Sequence, residues 1–274
     1  TMKAFITLLL LGAVAASSIR KKYDVVCPSL QPDSEMVPYV VGGTPARIGE
    51  FPWIVSIEFY YGHLCAGSLI APDVVLTTAD CALYIDELYK VRFAVTNLFM
   101  SDEHEVSVGV KKVVRHEDYG YFGKAKDIAL IQLERPVELN DYVNTICVPP
   151  AGVNTTGMAT VAGWGDEGYS DRQTRSGVLK KVDVPILSDF DCRYNSKYPP
   201  SDIDESMICA GTEDKNVCIG DTGSPLMKKM ADGQYYQAGI VSWGRSCQVP
   251  GYPGVYTELS YYTSWIQETL EQFN

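Results

Sequence analysis

The sequence is poor in the residues from which metal sites and nucleic-acid surfaces are built. Its 274 residues include three histidines, and its eight cysteines form no Cys-x-x-Cys pair, so a zinc site has few ligands to use. Acidic residues outnumber basic ones by 34 to 23, which gives a formal net charge of −11. Because nucleic acids and anionic membranes attract basic patches, we expect neither as a partner. A basic or mixed-charge protein is easier to accommodate, and no cofactor or metal is expected.

The sequence also lacks an apolar run long enough to span a membrane, which requires about 20 residues. The apolar run that begins after Lys3 ends at about Ala15 and is followed by small residues up to Ser18. This pattern is typical of a secretory signal peptide, so we expect residues 1–18 to direct secretion; a buried core helix is the alternative. Eight cysteines in an exported chain favour disulfide bonds over metal ligands.

Short strand-like segments are abundant in this sequence. Runs such as 53–57, 74–76 and 129–133 are rich in β-branched and aromatic residues and are separated by Gly, Pro, Asp and Asn, which predicts strands joined by turns. Near the C terminus apolar residues recur at helical spacing, namely Tyr262, Trp265, Ile266, Leu270 and Phe273. That spacing predicts a helix with one buried face. We therefore expect an all-β protein that ends in a helix.

Six motifs in a fixed order connect the sequence to a known family. They are Val40-Val41-Gly42-Gly43, Leu76-Thr77-Thr78-Ala79-Asp80-Cys81, Asp127-Ile128-Ala129-Leu130, Gly163-Trp164-Gly165, Cys218-Ile219-Gly220-Asp221-Thr222-Gly223-Ser224-Pro225 and Ser242-Trp243-Gly244. Together they resemble the trypsin and chymotrypsin family of serine proteases. The resemblance implies two six-stranded antiparallel β-barrels with a C-terminal helix, in a domain that spans residues 40–274. It leaves residues 19–39, which are polar and contain proline, as a pro-segment.

Two of the reacting positions of this family carry other residues here. Serine protease chemistry uses a hydroxyl nucleophile, a histidine base, a buried carboxylate and N–H donors for the oxyanion. By the resemblance, Asp127 is the carboxylate, and Gly220 and Thr222 supply the N–H groups. The histidine position is Asp80 and the serine position is Thr222. Asp80 is too short to reach the hydroxyl as a base must, and a β-branched alcohol is restricted in a loop shaped for serine. We expect no functional catalytic residue.

The remaining histidines offer no obvious replacement for the missing base. His104 and His116 lie in charged sequence contexts with no motif that places them in the cleft, so we expect both to be solvated loop residues. Asp80 and Asp127, if both face the cleft, would force one carboxyl group to hold a proton or bind a cation. Neither state imitates a histidine that shuttles protons.

The specificity pocket implied by the resemblance is altered as well. Asn216 stands where trypsins have aspartate, so a lysine or arginine side chain of a substrate would lack its charge partner. Ser242, Gly244 and Gly254 are expected to keep the pocket wall. Ser224 replaces the second glycine of the family motif and adds bulk beside the loop.

The activation site departs from the family pattern too. A trypsin-like activator cuts after Lys or Arg, whereas Tyr39 precedes Val40 here. In uncleaved members the aspartate that matches Asp221 is paired with a histidine, and His63 matches that histidine with Ser56 placed to support it. We hypothesise that Asp221 stays paired with His63 and that the domain remains zymogen-like. The alternative is that these are ordinary structural residues.

Disulfide pairing also follows from the resemblance. It implies the bridges Cys65–Cys81, Cys192–Cys209, Cys218–Cys247 and Cys27–Cys147. The last of these would hold the pro-segment on the domain, and two free thiols are the alternative.

Two surface features complete the sequence. Asn154 begins an Asn-Thr-Thr sequon, which makes it a candidate for glycosylation. Tyrosine pairs at residues 60–61, 235–236 and 261–262 are either interface anchors or part of the barrel surface.

The combination of an intact scaffold and replaced reacting groups predicts a secreted, inactive homologue that acts by binding another protein. This pattern is similar to that of the inactivated serine protease paralogues of the scabies mite, which are related to the group 3 mite allergens. That resemblance implies secretion into the gut lumen and inhibition of host complement through binding of its components. The alternatives are a weak protease that uses Thr222 as nucleophile, a non-catalytic cofactor of a protease cascade, and a decoy.

Overall fold

A computed structural model of the chain describes residues 23–27, 43–60, 62–84, 86–120, 124–165, 177–212, 220–245 and 249–273. In these residues there are thirteen strands, of which twelve build two antiparallel barrels, and one α-helix follows the last strand. The predicted all-β architecture with a C-terminal helix is therefore confirmed.

The first barrel is a closed sheet of six strands in the order β2-β3-β4-β7-β6-β5. Its strands are β2 (Ile54–Phe59), β3 (Gly62–Ala71), β4 (Val74–Thr77), β5 (Tyr89–Phe93), β6 (Val106–Arg115) and β7 (Ala129–Leu133). The predicted strand segments 74–76 and 129–133 lie within strands of this barrel, and 53–57 matches β2 except for Trp53, which precedes it. Their β-branched residues pack well on a pleated surface.

The second barrel closes through the pairing of β8 with β9, and its other strands follow in the order β9-β10-β13-β12-β11-β8. Its strands are β8 (Gly157–Gly163), β9 (Lys180–Ile186), β10 (Met207–Ala210), β11 (Pro225–Lys229), β12 (Tyr235–Trp243) and β13 (Gly254–Glu258). A short strand, β1 (Thr44–Pro45), pairs with the outer side of β9.

Strands β4 and β7 are buried on both faces and join the two barrels. Successive side chains of a strand point to opposite faces, and here Val75 and Ile131 fill the first barrel. Their neighbours Leu76 and Leu130 pack in a core shared with residues of the second barrel and the helix. The loops that follow β4 and precede β7 consequently lie where the barrels meet.

Helix α1 (Leu259–Glu271) closes the molecule over this shared core. Tyr262, Ile266 and Leu270 are buried at helical spacing, as predicted, and Phe273 is buried just beyond the helix. The carbonyl of Phe273 accepts a hydrogen bond of 3.1 Å from the side-chain amide of Gln132 on β7, which fixes the C terminus to the first barrel. No helix in the described part of the chain is long and apolar enough to cross a membrane.

Three of the four implied disulfide bonds are present: Cys27–Cys147, Cys65–Cys81 and Cys192–Cys209. Cys218 and Cys247 lie outside the described residues. Beside the first bridge, the N–H of Cys27 donates to the carbonyl of Val148 at 2.9 Å. Residues 23–27 are thus attached to the body by backbone bonds as well as by a covalent link.

Candidate functional site

Three loops bring the family's reacting positions to the junction of the barrels. Asp80 opens a 3₁₀ turn, Asp80–Ala82, shortly after β4, and the bridge from Cys81 to Cys65 anchors that turn. Asp127 lies two residues before β7. Thr222 lies in the turn before β11, and its carbonyl accepts a hydrogen bond of 2.9 Å from the N–H of Ala66 in the first barrel. The second barrel therefore presents Thr222 against the first.

Asp127 is buried, with 4% of its surface exposed, and is held by several donors. The N–H of Asp80 donates to Oδ1 at 2.9 Å, and the hydroxyl of Ser242 donates to Oδ2 at 2.5 Å. The hydroxyl of Thr257 donates to the Asp127 carbonyl at 2.7 Å. We expected Ser242 only in the pocket wall; its hydrogen bond to Asp127 is a role that the sequence motif did not indicate.

The environment of Asp127 changes its acidity. Burial raises the pKa of the Asp127 carboxyl to about 6, and the negative charge of Asp80 acts in the same direction. The hydroxyl of Ser242 and the N–H groups of Asp80 and Ala79 oppose this shift because they stabilise the carboxylate. Asp80 therefore opposes the ionised form of Asp127, whereas an imidazolium ion would stabilise it.

The side chain of Asp80 is exposed and forms a hydrogen bond with a tyrosine. Its Oδ1 accepts a hydrogen bond of 3.2 Å from the hydroxyl of Tyr119. Burial, together with the negative charges of Asp127 and Asp80, raises the pKa of Tyr119 well above its ordinary range. Within the described residues no hydrogen bond joins the Asp80 carboxylate to the Thr222 hydroxyl. Tyr119 has no sequence signal that could have placed it here.

The loop that carries Thr222 requires glycine at one position. Gly223 has a φ of +87°, and a Cβ built there would overlap the carbonyl oxygen of Ala66. The N–H of Gly223 donates to the carbonyl of Val241 at 2.9 Å. In contrast, the N–H groups of Gly220 and Thr222 donate to no other described residue, which leaves them available to a bound acceptor.

Ser224 is fully buried beside this loop. Its hydroxyl oxygen has no hydrogen-bond partner among the described residues, and a Cβ built on Gly163 would lie 2.7 Å from it. The serine that stands in place of the family's glycine therefore adds a buried hydroxyl group beside the loop.

Ser56, His63 and Asp221 converge on the segment Gly163-Trp164-Gly165. The hydroxyl of Ser56 lies 2.8 Å from Nδ1 of His63, and the His63 ring packs edge-to-face on Trp164 at 5.3 Å. Oδ1 of Asp221 accepts a hydrogen bond of 2.9 Å from the N–H of Gly165. The pairing of His63 with Asp221 stays a prediction, but both residues contact the same segment.

One predicted residue of the specificity pocket, Asn216, falls outside the described residues. Gly244 and Gly254 lie against each other, since a Cβ built on Gly244 would be 3.9 Å from the Gly254 Cα. Between Ser242 and Gly244, the ring of Trp243 is covered by Lys124, whose Nζ lies 3.8 Å from the ring centroid. This cation–π contact covers one face of the Trp243 ring.

The expectation of a solvated side chain is wrong for His116 and holds in part for His104, which lies in a turn. His116 is buried and its ring stacks on Trp265 of the C-terminal helix at 5.3 Å. Burial lowers the pKa of His116. His104 is half-buried and stacks on Tyr142 at 3.7 Å. Aromatic partners from distant segments cover both rings, and their charged sequence neighbours gave no sign of this.

Asn154 lies in the irregular segment that precedes β8. Its side chain is exposed, whereas the following Thr155 is buried. Exposure is a requirement for glycosylation, and the modification itself stays a prediction.

Comparison with known proteins agrees with this architecture. The sequence profile described as "Trypsin" matches residues 40–266. Trypsin-1 of Astacus astacus is 37% identical over 239 residues, which cover 83% of this chain and 98% of that protein. The venom protease of Bombus pensylvanicus is 37% identical over 251 residues, covering 85% and 100%. Tryptase of Mus musculus is 35% identical over 239 residues, covering 83% and 87%. With its two barrels, its C-terminal helix and these relatives, the chain belongs to the trypsin family.

Proposed function

We propose that this trypsin-family chain is secreted, is catalytically inactive and acts by binding another protein. The observation that carries the proposal is the position of the Asp80 carboxylate, which is exposed and accepts its hydrogen bond from Tyr119. A general base must lie within hydrogen-bond reach of the proton that it removes. Asp80 occupies the histidine position without making that contact to Thr222.

The size of the expected defect supports this proposal. Loss of the histidine or the serine of such a triad lowers turnover by about 10⁶-fold. The oxyanion donors and substrate binding alone leave about 10³–10⁴-fold acceleration over water. The N–H groups of Gly220 and Thr222 could supply that remainder only, because no described residue accepts a hydrogen bond from the Thr222 hydroxyl.

The proposed partner is a host complement component, and the proposed location is the gut lumen. The support is the similarity to the inactivated paralogues of the scabies mite, together with the apolar run and small residues of segment 1–18. The net charge of −11 favours partners that expose basic surfaces.

The inactivity is tested with the purified chain and its Thr222→Ala variant. We expect neither protein to hydrolyse a diverse peptide library or to react with an active-site-directed phosphonate. Hydrolysis by the parent chain that disappears in Thr222→Ala would instead establish the weak threonine-nucleophile protease.

The partner is tested separately with purified complement components immobilised on a sensor surface and with a haemolysis assay. We expect saturable binding to at least one component and dose-dependent protection of the red cells. Absence of both effects, with binding to proteases from arthropod fluid instead, would favour the cascade cofactor or the decoy.

A further inference from the structure

Two aromatic side chains project into solvent from one turn of the second barrel. Phe190 is 64% exposed and Tyr194 is 58% exposed, and their ring centroids lie 5.3 Å apart. Phe190 immediately precedes the π-helical turn Asp191–Asn195, and Tyr194 lies within it. Contiguous exposed apolar surface often marks an interaction site, and aromatic residues are frequent anchors of protein interfaces.

The rings border a cavity of about 290 Å³, which we call the aromatic groove. Its floor is apolar and comes from Ile203 and Met207, both buried. The volume lies close to the lower end of the range for ligand sites, about 300–1,000 Å³. The groove is therefore large enough to receive a side chain or two of a partner, with apolar contacts at its base.

The walls of the aromatic groove carry an excess of negative charge. Asp189, Asp204 and Glu205 line it, against the single cation of Arg193. Behind the groove, burial raises the pKa of Glu258, and the negative charge of Asp189 adds to that shift. A cation from a partner would relieve this repulsion, and it could also lie over the faces of the exposed rings.

The frame of the groove is rigid before any partner arrives. Asp191 accepts hydrogen bonds of 2.6 Å from the hydroxyl of Ser188 and from the amide of Asn195. The bridge from Cys192 to Cys209 fixes the same turn to β10. π-helical turns are often found at functional sites, and a preformed frame reduces the entropy lost when a partner is bound.

From these observations we propose that the aromatic groove is a docking surface for a segment of a partner protein that carries basic and apolar side chains in alternation. The inference rests on the proposed binding function and adds the surface and the chemistry of the partner. Apolar side chains enter the groove beside Phe190 and Tyr194, above Ile203 and Met207, and lysine or arginine side chains pair with Asp189 and Glu205.

The test uses the full chain, isotope-labelled for NMR, and a synthetic peptide of three Arg-Leu-Lys-Phe repeats. We expect the peptide to shift backbone amide resonances of residues 189–195 and 203–207. The variant Phe190→Ser/Tyr194→Ser should weaken binding by at least about tenfold, which corresponds to about 1.4 kcal/mol. The variant Asp189→Asn/Glu205→Gln should weaken it less and should reduce its dependence on salt.

A matched control comes from a separate loop of the first barrel. Phe99 and Met100 are 73% and 65% exposed, so Phe99→Ser/Met100→Ser removes as much exposed apolar surface without touching the groove. This control should bind the basic peptide as the parent chain does. A peptide in which Glu and Asp replace Arg and Lys should not bind.

Three results would overturn the inference: resonance shifts confined to another surface, equal binding of the acidic peptide, or an equal loss in the Phe99→Ser/Met100→Ser control. A failure of the proposed function would give a different result, because the chain would then hydrolyse peptides. If the chain binds a complement component and Phe190→Ser/Tyr194→Ser binds it equally well, the groove is wrong while the binding function stands.

Discussion

At the junction of the barrels, the buried end of the candidate site, at Asp127, differs from its exposed end, at positions 80 and 222. At the buried end, Asp127 keeps hydrogen bonds from the Asp80 N–H, Ser242 and Thr257. At the exposed end, positions 80 and 222 carry a carboxylate and a branched alcohol. The carboxylate accepts a hydrogen bond from the Tyr119 hydroxyl. The buried bonds join the two barrels and support the fold whether or not a reaction takes place. An intact scaffold is thus poor evidence of activity, which depends on the exposed groups.

The difference between the two ends is tested most directly by placing a histidine at position 80 and a serine at position 222. Asp80→His/Thr222→Ser, combined with Tyr39→Arg so that trypsin can cut before Val40, supplies base and nucleophile beside the existing Asp127. We expect labelling by a fluorophosphonate to rise by about 10⁴-fold or more, since each of these groups is worth orders of magnitude in rate. Labelling kinetics measured after trypsin treatment check this.

The single replacements are the controls for that experiment. Asp80→His alone and Thr222→Ser alone, each with Tyr39→Arg, should stay close to the parent chain because the two groups act as a unit. If the combined variant is labelled no faster than the parent chain, the low reactivity involves residues other than 80 and 222. The hydrogen bonds of Asp127 would then not be sufficient for catalysis.

The second test disturbs the loop beneath Thr222. Gly223→Ala places a methyl group against the carbonyl of Ala66 at a φ of +87°, so we expect the free energy of unfolding to fall by about 3–5 kcal/mol. Gly233 also has a φ of +87° but has no atom within 4 Å of an added Cβ. Gly233→Ala should therefore cost only about 1 kcal/mol. Equal losses in urea denaturation would show that backbone conformation, and not the contact between barrels, sets the cost.

The third test uses pH to examine the buried end. In the folded protein Asp127 loses its proton at a pKa of about 6, against an ordinary value of 3.8. The folded state then binds the proton more tightly, so this group lowers the free energy of unfolding as pH rises from about 4 to above 6. Asp127→Asn cannot ionise, and we expect it to gain about 1–3 kcal/mol relative to the parent between pH 4 and pH 8.

Ser242→Ala is the opposing control for the pH experiment. It leaves the Asp127 carboxyl able to ionise and removes the 2.5 Å hydrogen bond that favours the ionised form. The loss of stability between pH 4 and pH 8 should therefore be larger than in the parent chain. Thermal unfolding across this pH range measures both variants, and parallel curves for all three proteins would contradict the shift.

The smallest expected effect concerns Ser224. Its buried hydroxyl has no partner among the described residues, so Ser224→Ala should raise the free energy of unfolding by about 1 kcal/mol. Ser68 is equally buried, but its hydroxyl donates to Gln237 at 2.5 Å, and Ser68→Ala should lower stability by a similar amount. Urea denaturation of both variants separates the free energy lost by burying an unpaired hydroxyl group from the free energy lost with a hydrogen bond.

Much of the fold could be predicted from short motifs, because these motifs hold residues that backbone geometry demands. Gly223 is one such residue, and the helical spacing of Tyr262, Ile266 and Leu270 is another signal that depends on local sequence alone. The resemblance also gave the pairings Cys65–Cys81 and Cys27–Cys147 correctly.

The side-chain contacts of the site could not be predicted in the same way. Tyr119 reaches Asp80 from 39 residues away, and Ser242 reaches Asp127 from 115 residues away. His116 was expected in solvent and is instead covered by Trp265. These contacts depend on how the barrels and the helix pack together, and a pattern read along the chain does not contain that information.

The closure of both sheets also limits how this molecule can recognise anything. A sheet with a free edge can bind an extended peptide as one more strand, but in the described residues the six strands of each barrel pair around a full circle, and the short strand β1 is the sole addition. Most strand edges are therefore paired within a barrel, and the unpaired stretches are short, such as the end of β12 beyond Ile240. Recognition falls to side chains on the turns, where sequence can vary without reopening a barrel, so one family scaffold can carry unrelated binding specificities.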